Sequence, residues 1–212
     1  MEVDTDRYIF KHPFGAVLCG PSQSGKSTFV SKLIQNIWLL EKKPKAIYWC
    51  MGIATDMVLP KDVIKVYGLP TIEDFESFGE NTLVVLDDLL SSVAASKKMD
   101  DVFTKMVHHN KISVIFLTQN LFEKGLRSIT LNAQYIILTR TTRDLRQIKY
   151  LFSQVRPNST TELLSDCADA MKNLDCYPPH FLVNVHPFGN LDIQFQSCIF
   201  DDRRVVYRIE KV

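Results

Sequence analysis

The stretch Phe14-Gly-Ala-Val-Leu-Cys19-Gly20-Pro-Ser-Gln-Ser-Gly25-Lys26-Ser27-Thr28 decides the fold. Phe14 to Cys19 is an almost continuous apolar run, which reads as a buried strand. Gly20 to Ser27 then fits the pattern GxxxxGK[ST] completely. After it, Phe29, Val30, Leu33, Ile34, Ile37 and Trp38 recur in pairs four apart, marking one face of a helix. Pro44 bars any continuation of that helix. Strand, glycine turn and helix in this order are the context in which such a loop cradles phosphates. Glycines let backbone N–H groups turn inward, and the helix N-terminus adds a favourable field. The bland alternative, a chance match in an ordinary glycine turn, has little room once both flanking elements are in place.

The residues assigned to the nucleotide are therefore Gly20, Pro21, Ser22, Gln23, Ser24, Gly25, Lys26, Ser27 and Thr28. Lys26 reaches the β/γ-phosphates of ATP, and the Ser27 hydroxyl joins the shell of a Mg²⁺ ion. A phosphate loop demands a second strand ending in acid. Leu83-Val-Val-Leu-Asp87-Asp88 supplies it. Asp87 is assigned to the metal and Asp88 to the attacking water, as orienting group or base. Ser113 to Thr118 is another buried strand, beside that acidic strand, and ends in Gln119-Asn120. An amide there senses the γ-phosphate. Arg127, Arg140, Arg143 and Arg146 follow. One of them, Arg127 first and Arg143 second, is a candidate finger supplied to a neighbouring subunit; for any single one a plain surface role is the better bet. Lys97 and Lys98 are candidates for phosphate contacts in a pore, against an ordinary solvated loop.

Outward from these motifs the chain alternates strands and helices, which points to an open α/β sheet. Further strands are expected at Ala46–Cys50, Val63–Tyr67 and Tyr135–Thr139, and a helix start at Thr71 with Asp74. One later helix carries Val102, Phe103, Met106 and Val107, and another carries Leu145, Ile148, Leu151 and Phe152. The cluster Arg156-Pro-Asn-Ser-Thr-Thr161 marks a change of composition. A core over 1–157 and a small extension over 158–212, packed on the core's sheet edge, is the expected division. The extension reads as a helix over about 161–174, then strands at Phe181–His186, Leu191–Gln196 and Arg203–Ile209.

Composition narrows the classes. With 25 Lys+Arg against 24 Asp+Glu over 212 residues, the net charge is +1. A generic basic nucleic-acid binder is excluded, so any DNA contact is local, such as a loop on a ring. No apolar run approaches the roughly 18 residues of a membrane span, and the acidic start is unlike a signal peptide. The five cysteines, widely spaced, read as reduced intracellular thiols. Cys167, Cys176, His180 and His186 match no standard zinc spacing.

Gly20 to Thr28, the Asp87-Asp88 pair and Phe116-Leu-Thr-Gln-Asn-Leu-Phe122 together resemble the HerA/FtsK superfamily, and within it the genome-packaging ATPases of double-stranded DNA viruses. Thr118 through Arg143-Asp144 is similar to those of Polinton/Maverick elements and adintoviruses, relatives of the poxvirus packaging ATPases. The resemblance covers about residues 10–157. Gln119 matches the superfamily's strand-end glutamine; where many members have Glu as the second acid, this chain has the shorter Asp88. The resemblance implies a RecA-like ASCE core with a mostly parallel sheet flanked by helices. It also implies a hexameric or pentameric ring and ATP-driven translocation of double-stranded DNA into a capsid. Expected partners are that DNA, further copies of the chain and capsid proteins, with no membrane. The expected location is the host nucleus or cytoplasm at the site of viral assembly, and the virion.

Three other readings compete. A viral superfamily 3 helicase also pairs a phosphate loop with Asp-Asp and a strand ending in Asn, here Asn120. A small nucleotide kinase needs an arginine-rich lid, which the sequence lacks. A non-catalytic nucleotide-gated scaffold is at odds with intact Lys26, Asp87 and Asp88.

Overall fold

The computed structural model describes residues 9–52, 58–95, 101–141, 145–187, 189–201 and 204–209. Lys97, Lys98 and Arg143 lie outside them. The strands are β1 (Gly15–Cys19), β2 (Ala46–Met51), β3 (Val63–Tyr67), β4 (Thr82–Asp87), β5 (Ser113–Thr118), β6 (Tyr135–Thr139), β7 (His180–Asn184), β8 (Phe195–Ser197) and β9 (Val205–Tyr207). They form one sheet in the order β3-β2-β4-β5-β1-β6-β7-β8-β9. The strands from β1 to β6 pair in parallel, and β7, β8 and β9 add antiparallel to the β6 edge.

Successive side chains of a strand face opposite ways, so a run buried on both faces must be apolar throughout. β1 obeys this: Ala16 and Leu18 enter the core on one face, Val17 and Cys19 the core on the other. The same alternation divides β4, β5 and β6. The first face is covered by helix α1 (Lys26–Gln35) through Phe29, Val30, Leu33 and Ile34, and by Phe10 and Phe14. The second face is covered by α2 (Ile72–Ser77), α3 (Leu90–Ala95), α4 (Val107–His109), α5 (Arg127–Asn132), α6 (Leu145–Val155) and α7 (Thr160–Lys172). This is an α/β sheet flanked by helices on both faces. α2 begins with the reciprocal cap expected of Thr71 and Asp74. The Asp74 N–H donates to Thr71 Oγ1 (3.2 Å), and the Thr71 N–H donates to Asp74 Oδ2 (2.7 Å).

Local chemistry moves several boundaries. α1 ends at Gln35, well before Pro44. Asn36 leaves helical geometry, its N–H returning to Lys32 and Leu33 and its amide donating to the Lys32 carbonyl. Ile37 passes into a 3₁₀ turn but still packs, partly buried, against the core that α1 covers, whereas Trp38 is exposed and leaves the apolar face. Val102–Met106 winds as a π-helix running into α4, where an α-helix is expected. Leu145 is exposed at the start of α6, leaving Ile148, Leu151 and Phe152 as its buried face. Leu191–Gln196 is not one strand. The Asn190 side chain accepts from the Asp192 N–H (2.9 Å) and winds Leu191–Ile193 into a 3₁₀ turn, so that only Phe195–Ser197 pairs. Of its polar positions only Asp192 is exposed. Gln194 and Gln196 are buried, the first accepting from Arg156 Nε (2.9 Å) and the second donating to the Ile193 carbonyl (2.6 Å).

The cysteines divide. Cys19, Cys50 and Cys167 are buried and outside any disulfide, and burial pushes the Cys50 thiol up to about 12 and the Cys167 thiol higher still. Cys176 and Cys198 are joined in a disulfide, contrary to the expectation of reduced thiols throughout. The turn before β7 and the turn after β8 bring their Cα atoms to 5.1 Å, within bridging range. His180 takes no part in a metal site. Its Nε2 accepts from the Ile199 N–H (3.2 Å), so the proton sits on Nδ1, which donates to the Pro178 carbonyl (2.7 Å).

Candidate active site

The parallel register brings the strand tips to one edge: Cys19 pairs with Thr118 and with Leu138, and Leu86 with Phe116. The segments leaving those tips therefore converge. A cavity of about 380 Å³ lies there, lined by Ser22, Gln23, Gly25, Lys26, Ser27 and Thr28 of the loop and α1, by Asp87 and Asp88 after β4, by Leu117, Thr118 and Gln119 at the end of β5, and by Tyr177. β5 lies between β4 and β1. Gln119 thus sits between the acidic pair and the glycine loop, beside the acidic strand as the sequence predicts.

The loop's shape depends on two glycines. Gly25 has φ +93, a left-handed conformation that L side chains rarely adopt, and a Cβ there would meet Pro178 Cβ at 2.9 Å. Gly20 faces the Thr139 and Ser24 hydroxyls with no space for a side chain. Those hydroxyls bond each other at 2.6 Å and pin the loop to the end of β6. Because α1 starts at Lys26, its first N–H groups have no intrahelical acceptor and point at the cavity mouth. The Lys26 ammonium donates to the carbonyls of Gly20 (2.7 Å) and Pro21 (2.9 Å), held by its own loop. Burial lowers its pKa, and Cys19, Asp87 and Asp88 oppose that shift.

Asp87 is the half-buried hub. Its Oδ2 accepts from Ser27 Oγ (2.9 Å) and from Trp49 Nε1 (3.2 Å). Burial raises its pKa in spite of both donors. A hydroxyl and a desolvated carboxylate side by side are hard oxygen ligands, the donor set that Mg²⁺ selects. A cation there would also offset the cost of keeping the carboxylate charged away from water. Ser27 and Asp87 thus fit the metal role assigned to them.

Asp88 is exposed, lines the cavity and adopts φ +54. That conformation turns the chain sharply off β4, placing consecutive carboxylates in different surroundings. Gly52, just beyond β2, makes room for the turn. Its N–H donates to the Asp87 carbonyl (3.3 Å), and a Cβ at Gly52 would lie 2.5 Å from the Asp88 carbonyl oxygen. Sequence reasoning missed Gly52. The available signal was a glycine immediately after a strand that pairs with the acidic one.

Asn120 belongs to a turn. Its Oδ1 accepts from the Phe122 N–H (2.9 Å), and its N–H donates to Thr118 Oγ1 (3.2 Å). Arg127 is not brought to the cavity. It opens α5 and lines a separate cleft of about 480 Å³ with Phe122, Arg146 and Tyr150. Arg140 is exposed beyond β6. Tyr177 was also missed. It stands before a proline pair in a segment that sequence alone places far from the loop.

The sequence matches no protein-family model and no curated protein. Among solved structures, the chain is similar to B204, the DNA-packaging ATPase from Sulfolobus turreted icosahedral virus, with TM-score 0.50 and 15% identity over 82% of this chain and 93% of that one. It is equally similar to the genome packaging NTPase B204 from Sulfolobus turreted icosahedral virus 2 in complex with AMP, with TM-score 0.50 and 16% identity over the same shares. At these identities the likeness speaks for the fold: this chain has the P-loop NTPase fold of the B204 packaging enzymes.

Proposed function

We propose that this protein is an ATPase of the HerA/FtsK superfamily that uses ATP hydrolysis to drive double-stranded DNA into a viral capsid. The observation that carries the proposal is the convergence of Lys26, Ser27, Asp87, Asp88 and Gln119 on one cavity. The order β4-β5-β1 supports it, because a strand between the phosphate loop and the acidic strand is what sets Gln119 between them. The likeness to B204 over most of both chains supports the packaging role.

The chemistry derives from the residues. Lys26 exchanges the carbonyls of Gly20 and Pro21 for phosphate oxygens, and the loop N–H groups hold the remaining phosphates. Ser27 and Asp87 would hold Mg²⁺, which would supply neutralisation of the charge that develops on the phosphates. Asp88 orients the attacking water and accepts its proton. Gln119 touches the γ-phosphate or that water and reports hydrolysis to β5 and the turn beyond. Arg127, remote from its own cavity, serves the cavity of a neighbouring copy in a ring of five or six. Capsid proteins are the remaining partners, and the site of viral assembly in the infected cell is where the protein acts. No described helix is long and apolar enough to cross a membrane.

The helicase reading needs Asn120 as the sensing residue, and Asn120 is committed to its own turn. The test is steady-state ATP hydrolysis with Mg²⁺, measured alone, with linear duplex DNA and with nucleoside monophosphates. Stimulation by duplex DNA supports the motor. Phosphate transfer to an added monophosphate would establish a kinase, and silence in all three would establish a scaffold. Gln119→Ala should keep ATP binding and lose DNA-stimulated turnover.

A further inference from the structure

The phosphates of a nucleotide seated on the loop have a fixed polarity. Their reacting end faces Asp88 and Gln119, at the tips of β4 and β5, on one side of β1. The ribose and base must leave on the other side, across β6 toward β7. Strands are spaced about 4.8 Å apart, so the start of β7 lies roughly 10 Å along the sheet edge from β1. β7 runs antiparallel to β6, and its first residue, His180, pairs with Thr139, whose hydroxyl holds Ser24 of the loop. The segment entering β7 therefore stands where the base must go, and Tyr177 lines the cavity from that segment.

Tyr177 is 60% exposed. A single exposed aromatic is ordinary on a protein surface. What sets this one apart is that its backbone is fastened by several contacts while the residue stays mostly exposed. Cys176 is bridged to Cys198. The Tyr177 carbonyl accepts from Lys32 Nζ, one helical turn beyond Thr28. Pro178 abuts Gly25 of the loop, and the Pro178 carbonyl accepts from buried His180. The Lys32 ammonium lies 5.9 Å from the Tyr177 ring centroid and 5.6 Å from that of Phe200. A ring held this way loses little further freedom on binding a planar partner, which is the condition for a favourable stacking platform.

We propose that Tyr177 stacks on the nucleobase, so that the extension supplies the base-binding wall of the site while the loop supplies the phosphate cradle. This rests on the nucleotide reading above and adds the base contact that the loop motifs leave open. The alternative is that Tyr177 only shields Lys32.

Calorimetric titration of the full chain with Mg–ADP and with Mg–tripolyphosphate, which has no base, separates the two. Tyr177→Ala should weaken ADP binding about 10- to 100-fold, the range for loss of one base–aromatic stack. It should leave tripolyphosphate binding unchanged, and Tyr177→Phe should bind both ligands as the wild type does. Tyr177→Leu, which keeps bulk without a π-face, should show the same selective loss and stands in should the alanine variant fail to fold. Equal losses for both ligands, or none, would overturn the proposal. Wild-type protein that binds neither ligand would overturn the nucleotide reading beneath it.

Discussion

Asp87 and Asp88 are adjacent in sequence and opposite in circumstance. Asp87 is held by two donors and desolvated, whereas Asp88 turns through a left-handed conformation into the cavity. Asp88→Asn should therefore bind Mg–ATP normally and hydrolyse it about 10²–10⁴-fold more slowly, the usual contribution of a positioned base. Single-turnover hydrolysis beside equilibrium binding checks this, and near-normal turnover would move the catalytic role elsewhere. Gly52 carries a second prediction. The Cβ of Gly52→Ala would press on the Asp88 carbonyl, so the backbone must shift by a sizeable fraction of an ångström. A misplacement of that order costs about 10²-fold in rate. The loss should fall on kcat while ADP affinity holds; an unchanged kcat would show that Asp88 does not depend on this contact. The acids and the loop were legible in the sequence because their chemistry is written in fixed local spacing. Gly52 was not, because its meaning comes from a residue on a neighbouring strand.

At the scale of elements, β1, β4, β5 and β6 were legible for a simple reason. A strand covered on both faces must be apolar along its interior, and these runs are, with polar residues only at their ends. The tail was harder. Leu191–Gln196 alternates as a half-exposed strand would, yet its glutamines are buried and hydrogen-bonded and its first half winds into a turn. The Cys176–Pro179 segment meets the loop and α1 through long-range contacts, such as Pro178 with Gly25 and Tyr177 with Lys32, the latter 145 residues apart. No local pattern announces such a contact. His180 anchors this segment, packed edge-on between Phe29 and Phe200, and burial lowers its pKa from 6.5 to about 4. The folded protein keeps His180 neutral where the unfolded chain would protonate it. Its stabilisation is thus fully present above pH 6.5 and is lost as pH falls toward 4. The loss should reach about 2–3 kcal/mol. Urea unfolding at pH 7 and pH 4.5 measures it. His180→Gln should be less stable at pH 7 but lose less on acidification, and an equal loss in both proteins would clear His180 of the effect.

For the molecule as a whole, the sheet places the nucleotide cavity at one edge and Arg127 in a cleft apart from it. Among the described residues nothing brings Arg127 to its own cavity, which is what motivates the proposed role in trans. An arginine supplied in trans is worth on the order of 10³–10⁵ in rate in other NTPases. Arg127→Ala should be inactive alone and so should Lys26→Ala, yet a mixture should recover activity, because a mixed interface pairs an intact loop with an intact arginine. Wild-type turnover should rise faster than linearly with protein concentration as rings form. Linear dependence without recovery would return Arg127 to the surface. The proposed ring assembly was not legible from composition, since a net charge of +1 is silent about self-association. The proposed coupling of hydrolysis to movement along duplex DNA is read most directly from displacement of a third-strand oligonucleotide from a linear duplex. Wild-type protein with Mg–ATP should strip the third strand, while Asp88→Asn with ATP should bind without stripping it. Vigorous hydrolysis by the wild type with the third strand left in place would show that hydrolysis does not move duplex DNA.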